Sequence, residues 1–207
     1  MAMEEKWLTW AKEIQAIAQT GLEYAKDVYD IERYEMLREL SVDIMANYTF
    51  ESREKIRISF AGDKGYSTPK VDIRGVVFKE DRILMVREKI DGKWSLPGGW
   101  ADIGYSPSEV AVKEIREESG FTARAVRLLG VLDKKFHGHP PDPYHIYKLF
   151  ILCEIVGGEA AGGLETSDVG FFKEEELPEL SVGRNTEKQI RTMFEYLRHP
   201  DKPIMLD

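Results

Sequence analysis

The sequence predicts an α/β or α+β sandwich with a small helical segment in front of it. Three observations carry that expectation. Residues 4 to about 48 place apolar side chains at intervals of three and four, the period of a helix face. Later stretches are short, rich in β-formers and separated by turns. A well-marked helix is inserted between those strands, and another closes the chain. The 207 residues allow one good-sized domain with an appendage, so we expect units at 1–66 and 67–207.

In the helical segment, Trp7, Trp10, Ile14 and Ile17 form one stripe, and Thr20-Gly21 is expected to loosen the helix. Asp30 is the expected cap of a second helix carrying Ile31, Tyr34, Leu37, Leu40 and Ile44. A hairpin of this kind cannot bury its stripes alone, so it must pack on the main domain or on another chain. A homodimer through these helices is the expectation. Residues 51–68 are polar and turn-rich and read as a linker with one edge strand, Lys55 to Phe60. Strands are expected at Val71–Phe78 and Ile83–Glu88, around the turn Lys79-Glu80-Asp81, with Lys93–Leu96 continuing. Further strands are expected at Ala123–Lys134, at Tyr147–Val156 and at the segment ending in Phe171-Phe172. A last helix, Ser181–Arg198, takes its cap near Asn185 or Thr186 and stops before Pro200.

Composition excludes several classes. The formal net charge of −8 gives no global basic field for nucleic acid. Cys153 is the one cysteine and sits in an apolar run, so it reads as a buried strand thiol in a reducing cytosol. A cytoplasmic location follows as an expectation. No apolar run reaches the roughly 18–20 residues of a membrane span. Met1-Ala2-Met3-Glu4-Glu5 lacks the basic and apolar regions of a signal peptide.

The most informative stretch runs from Leu96-Pro97-Gly98-Gly99-Trp100 to Gly120-Phe121. Ser106-Pro107-Ser108-Glu109 is a helix start: Ser106 caps, Pro107 suits the first turn and Glu109 completes a capping box. Gly120 is placed to end the helix in a left-handed conformation. Ala111 and Ile115 can pack on a sheet, while Glu114, Glu117 and Glu118 share the adjoining face. Like charges this close repel unless a cation lies between them. Carboxylates beside a free backbone carbonyl suit Mg²⁺ or Mn²⁺ rather than zinc.

These residues resemble the signature box of the Nudix hydrolases, G-x5-E-x7-R-E-U-x-E-E-x-G-U, with U a bulky apolar residue. Gly99, Glu114, Ile115, Glu117, Glu118, Gly120 and Phe121 take family positions. Tyr105 stands where the family has its first glutamate, and Lys113 where it has arginine. Lys113 keeps a charge that can pair with a carboxylate but lacks the arginine fork. The resemblance implies a mixed-sheet α/β/α sandwich that hydrolyses a nucleoside diphosphate joined to another moiety. It implies Mg²⁺, with Mn²⁺ as the alternative, held by Glu114, Glu117, Glu118 and the Gly99 carbonyl. Glu117, Glu118 and Lys113 are then part of the catalytic machinery.

Family members often supply a further acid from a late loop. Here Gly162-Gly163-Leu164-Glu165-Thr166-Ser167-Asp168 offers a flexible loop, with Glu165 the first choice for general base and Asp168 the second. Arg74 and Arg87 are candidate phosphate contacts. The loop Phe136 to His145 holds three of the four histidines, and we expect Phe136, His137 and Tyr144 to face substrate. Trp100 is a further candidate contact.

The whole chain also resembles a Nudix subgroup with an N-terminal helical extension, which includes CDP-choline and ADP-ribose pyrophosphatases. The preferred substrate on that resemblance is CDP-choline, cut to CMP and phosphocholine. ADP-ribose or another NDP-sugar is the alternative. An RNA-processing hydrolase or exoribonuclease and a ligand-sensing module without catalysis are the other readings. Intact Glu114, Glu117 and Glu118 weigh against the last.

Overall fold

The computed structural model describes residues 5–207. The signal-peptide reading of the first residues lies outside them, apart from Glu5. The chain divides into two compact units. One holds Lys70–Pro140 and Ile146–Asp207; the other holds the described residues before Lys70 together with Pro141–His145.

The helical unit contains α1 (Lys6–Tyr24), α2 (Val28–Tyr48) and α3 (Arg53–Ser59). Helix α1 runs through Thr20-Gly21 without a break, because Gly21 lets the Tyr34 ring pack directly on it. The cap of α2 is Asp27, which accepts from Tyr29 N and Asp30 N; Asp30 belongs to the first turn instead. The expected edge strand at Lys55–Phe60 is the helix α3. Ser52 caps it by accepting from Lys55 N, and Ile56 and Phe60, four apart, bury together against Leu8, Val42 and Met45. Gln19 and Thr20 tie residues 64–67 back onto α1 through Gly65 O and Ser67 N.

The expected apolar stripes are only partly the buried ones. On α1 the buried line is Leu8, Ala11, Gln15 and Ala18, while Trp10 and Ile17 are 56% and 57% exposed. On α2, Ser41, Val42 and Met45 are buried, and Ile31 and Leu40 are exposed. The helical unit therefore closes a core of its own around Leu8, Val42, Met45, Ile56 and Phe60 and still leaves Trp10, Ile17, Ile31 and Leu40 outside.

The second unit is a mixed sheet between two helices. Its strands are β1 (Lys70–Lys79), β2 (Arg82–Glu88), β3 (Trp94–Ser95), β4 (Gly98–Trp100), β5 (Phe121–Asp133), β6 (Ile146–Gly158), β7 (Thr166–Phe172) and β8 (Met205–Leu206). The main order is β3-β2-β1-β6-β5-β8, with β4 on β1 and β7 on β2. β1 and β6 run parallel; β5 and β6 run antiparallel. Helix α4 (Pro107–Ser119) covers one face over Ile73, Val77, Leu84, Ile151 and Cys153. Helix α5 (Glu187–Arg198) covers the other over Val76, Met85, Leu129 and Phe150. This is the expected α/β/α sandwich. Alternation along β1 explains it, since Ile73 and Val77 point to α4 while Asp72, Arg74 and Val76 point the other way. The last helix starts at Glu187, not Ser181, because Thr186 and Gln189 form a capping box there. The short strand β8 has no sequence signal; it is an edge addition to β5.

Candidate active site

Helix α4 is fixed at both ends by local chemistry. Ser106 accepts from Glu109 N, Glu109 reaches back to Ser106 N, and Gly120 ends the helix at φ 76°. Val110, Ala111 and Ile115 are fully buried, which turns Glu114 and Glu118 toward the neighbouring turn.

That turn, Leu96 to Gly99, is held by hydrogen bonds from several sides. Gly75 N donates to Pro97 O at 2.8 Å. Leu96 N donates to Asn185 Oδ1 at 3.0 Å, and Arg74 Nη1 donates to Leu96 O at 3.1 Å. Gly98 N donates to Glu118 Oε2 at 2.8 Å. Gly98 sits at φ 150°, and a Cβ there would lie 2.0 Å from Ile73 O, so only glycine lets the turn come this close to β1.

The three carboxylates differ sharply in setting. Glu118 is 7% exposed, and burial pushes its pKa up to about 8 against the pull of Arg74 and Gly98 N. Burial also raises Glu114, opposed by the hydrogen bond from Lys113. The Glu117 side chain is 58% exposed. Lys113 Nζ lies among Glu114 at 3.2 Å, Glu117 at 3.2 Å and Asp102 at 3.3 Å. Its ammonium is the cation these acids share, and the hydrogen bond to Glu114 leads the causes that hold it charged.

As they stand, no three acids, histidines or cysteines among the described residues converge enough to coordinate an ion. The donor chemistry nonetheless fits a hard cation. Two carboxylates are partly or fully desolvated, and the Gly99 backbone lies against one of them. A Cβ added at Gly99 would sit 3.4 Å from the Glu114 carboxyl group. All the donors are oxygens, as Mg²⁺ or Mn²⁺ requires.

The loop before β7 reaches the same end of α4. Thr166 Oγ1 donates to Glu118 O at 2.7 Å and accepts from Gly163 N at 2.8 Å. Lys89 Nζ donates to Gly163 O and Leu164 O, and Lys89 N to Glu165 O. The expected flexible loop is thus pinned at several backbone atoms, with the Glu165 side chain exposed at its tip. Asp168 lies within β7 opposite Arg87 and accepts from Val169 N.

The remaining expected contacts scatter. Arg87 is exposed and donates to Gly92 O at 2.8 Å. Arg74 is 5% exposed and its guanidinium is occupied by Asp72 and Leu96 O. Trp100 is half exposed on β4, opposite Asp72. Phe136 is exposed beneath the Lys135 ammonium, 4.8 Å from its ring centre. His137 Nε2 meets both Asp207 carboxylate oxygens at 3.0 Å. Tyr144 falls in the helical unit, where its hydroxyl donates to Ser59 O. The single substrate loop expected at Phe136–His145 is therefore divided between the two units.

Sequence reasoning missed a set of buried charges beside the turn. Asp72, Lys148 and Glu88 are 5%, 1% and 2% exposed. Asp72 pairs with Arg74 and Lys148, and Glu88 pairs with Ser95 and with Arg184. Burial lowers Lys148 to about 8, opposed by Asp72. The available signal was charge on the inward side of apolar strands: Asp72 and Arg74 alternate on β1, and Lys148 interrupts an apolar run.

Residues 68–194 match the family model described as NUDIX domain. Residues 5–60 match that described as UDP-X-like, N-terminal oligomerisation domain. The Bacillus subtilis (strain 168) protein named "Putative ADP-ribose pyrophosphatase YjhB" is 53% identical over 205 residues, 99% of each chain. A solved ADP-ribose pyrophosphatase from Streptococcus suis 89-1591 is 41% identical with a TM-score of 0.62, covering 68% of this chain and 100% of that one. A solved UDP-X diphosphatase is 32% identical with a TM-score of 0.63, covering 98% of both chains.

Proposed function

The chain belongs to the Nudix hydrolase family, and from that membership we propose that it hydrolyses ADP-ribose at the diphosphate. The coarser activity is plain: it is a pyrophosphohydrolase acting on a nucleoside diphosphate joined to another moiety. ADP-ribose leads because the full-length relative and a solved structure bear that name. CDP-choline, preferred on resemblance alone, becomes the second substrate to test, with UDP-linked compounds beside it. RNA ends are a poor fit to a net charge of −8.

The observation that carries the chemistry is Glu118, buried with its carboxylate on Gly98 N and under the pull of Arg74. Glu118, Glu114, Glu117 and the Gly99 carbonyl would hold Mg²⁺ or Mn²⁺. A divalent cation there supplies charge neutralisation for a diphosphate and acidifies water. Lys113 keeps the carboxylates gathered through its three ion pairs. Glu165, carried on a loop tied to the Glu118 carbonyl, is the acid we assign to orient the attacking water and take its proton. Asp168 is second, because it is committed to β7. Arg87, exposed at the end of β2 with its Nε on Gly92 O, is the residue we assign to meet a phosphate with its other N–H groups, and the exposed Trp100 and Phe136 are the aromatic side chains we assign to substrate.

The helical unit is the proposed homodimer interface, and 67–207 the catalytic domain. Trp10, Ile17 and Tyr24 recur at seven-residue steps on α1 and are all exposed. Beside them a groove of about 620 Å³ is lined by Ile17, Tyr24, Tyr34 and Tyr66. Among the described residues no helix is long and apolar enough to cross a membrane. Cys153 is a free, buried thiol, which suits the reducing cytosol we assign.

The test is a substrate panel with Mg²⁺ or Mn²⁺: ADP-ribose, CDP-choline, UDP-sugars and short RNA, with products identified. We expect AMP and ribose 5-phosphate to form fastest. Faster release of CMP from CDP-choline would reassign the substrate, and no cleavage of any diphosphate would overturn the reading.

A further inference from the structure

A buried ion pair lies behind the turn that carries Gly98 and Gly99, and nothing in the reaction itself calls for it. Strand register places it. In parallel pairing, Asp72 on β1 stands beside Lys148 on β6. In antiparallel pairing, Arg74 stands opposite Gly98 and Ile73 opposite Gly99. Asp72, Arg74 and Lys148 are 5%, 5% and 1% exposed. Burying three charges side by side is costly, and replacement by apolar residues is often neutral or stabilising. The arrangement therefore asks for a purpose beyond stability.

The way the hydrogen bonds are shared supplies one. Arg74 Nε and Nη2 both approach the same oxygen of Asp72, Oδ1, each at 2.9 Å. An arginine facing a free carboxylate prefers the two-oxygen fork. Here the second oxygen, Oδ2, is taken by Lys148 Nζ. With its Nε and Nη2 edge held by Asp72, Arg74 turns Nη1 to donate to Leu96 O at 3.1 Å. Leu96 begins the turn, and two residues on Gly98 N donates to Glu118. Asn185 holds Leu96 N from the other side.

We propose that Lys148, acting through Asp72 and Arg74, is a positioning residue that sets the Leu96–Gly99 turn and with it the Gly98–Glu118 contact. It touches neither substrate nor metal. Without Lys148 on Oδ2, the Asp72 carboxylate is free to turn, the Nε and Nη2 edge of Arg74 loses its fixed anchor, and the hold of Nη1 on Leu96 O beneath Gly99 loosens. The inference rests on the reading of Gly99 and Glu118 as metal-holding groups.

The experiment measures Mn²⁺ affinity by equilibrium titration, beside thermal melting and kcat and KM, for the full chain and two variants. Lys148→Met removes the donor at similar volume; Lys148→Gln keeps a donor for Oδ2 without the charge. Loss of an outer partner of a metal site typically weakens metal binding about 10–100-fold. We expect that loss for Lys148→Met, with kcat falling more than KM rises, and recovery of most of the affinity in Lys148→Gln. A folded Lys148→Met with Mn²⁺ affinity within about twofold of the wild type would overturn the proposal, whatever its melting temperature, given the size expected of such a partner. Failure of both variants to fold would assign the pair to structure alone and overturn it equally. If the unaltered protein binds no Mn²⁺, the metal reading itself falls, a separate outcome.

Discussion

The helix α4 and the hairpin of α1 and α2 are both amphipathic, yet they spend their apolar faces differently. α4 buries Val110, Ala111 and Ile115 completely on the sheet and turns Glu114 and Glu118 toward the Leu96–Gly99 turn. The hairpin buries Leu8, Ala11, Ala18 and Val42 within itself and leaves Trp10, Ile17, Tyr24, Ile31 and Leu40 outside. One element is finished within its own unit. The other is half finished, and the large side chains it leaves out are those that gain most from burial. The contrast teaches that an apolar period marks a helix but not which face meets the core.

The largest effect expected lies on the finished side. Glu118→Gln removes the buried carboxylate while the new amide still accepts from Gly98 N. We expect kcat on the preferred substrate to fall about 10²-fold or more, with melting unchanged or raised, since burial already disfavours the charged carboxylate there. Full activity with Mg²⁺ present would remove Glu118 from the machinery. The same change at exposed Glu117 should leave stability alone, which separates chemistry from burial within one helix.

The unfinished side predicts a change of assembly rather than of rate. Trp10→Asp with Ile17→Asp places two charges in the exposed α1 row. A dimer built on that row loses about 2 kcal/mol per buried large side chain, enough to shift it to monomer at micromolar concentration. Sedimentation or light scattering reads the outcome. A double variant that stays dimeric would move the interface off this face.

What the sequence made legible follows the same divide. The capping box of Ser106 and Glu109, the left-handed Gly120 and the buried Ala111 and Ile115 are local signals, and all stand as expected. Lys55–Phe60 misled because Lys-Ile-Arg-Ile-Ser-Phe alternates like a strand, while Ile56 and Phe60 also share a helix face. Ser52 and the hairpin core decide for the helix. Asp27 and Asp30 are both acids in one turn, so the cap could be misplaced by three residues. Of the candidate site, the acids of α4 and the glycine turn were readable because spacing defines them. The Asp72–Lys148 pair was not, since its partners lie 76 residues apart and meet only through parallel register.

A smaller effect separates the units by pH. His139 donates from Nδ1 to Val182 O at 2.7 Å, and burial depresses its pKa to about 4, with Lys148, Lys134 and His137 adding to the shift. The folded ring stays neutral while an unfolded one protonates near 6.5. The unfolded chain therefore binds more protons between those values. Stability is full above about 6.5 and declines as pH falls toward 4. His139 belongs to the sheet unit, so its urea midpoint should drop over that window. His139→Asn, with an amide to replace the Nδ1 donor, should flatten the decline. An unchanged slope in that variant would assign the acid sensitivity to other groups.

The smallest effect tests the comparison where the two regions are most alike. Ser106 caps α4 and Asp27 caps α2, each accepting from backbone N–H groups in the first turn. Replacement of either by alanine removes a cap worth about 1 kcal/mol. In α4 that loss appears directly in the melting of the sheet unit, because the helix already holds its full packing. In α2, if the proposed dimer covers the outer face of the hairpin, the loss adds to a unit completed only on association, so the cost should grow on dilution. Ser106→Ala is expected to lower the melting midpoint by the same amount at every protein concentration. Asp27→Ala should lower it more at low concentration than at high. Equal, concentration-independent shifts in both would mean that the hairpin is as complete alone as α4 is on its sheet.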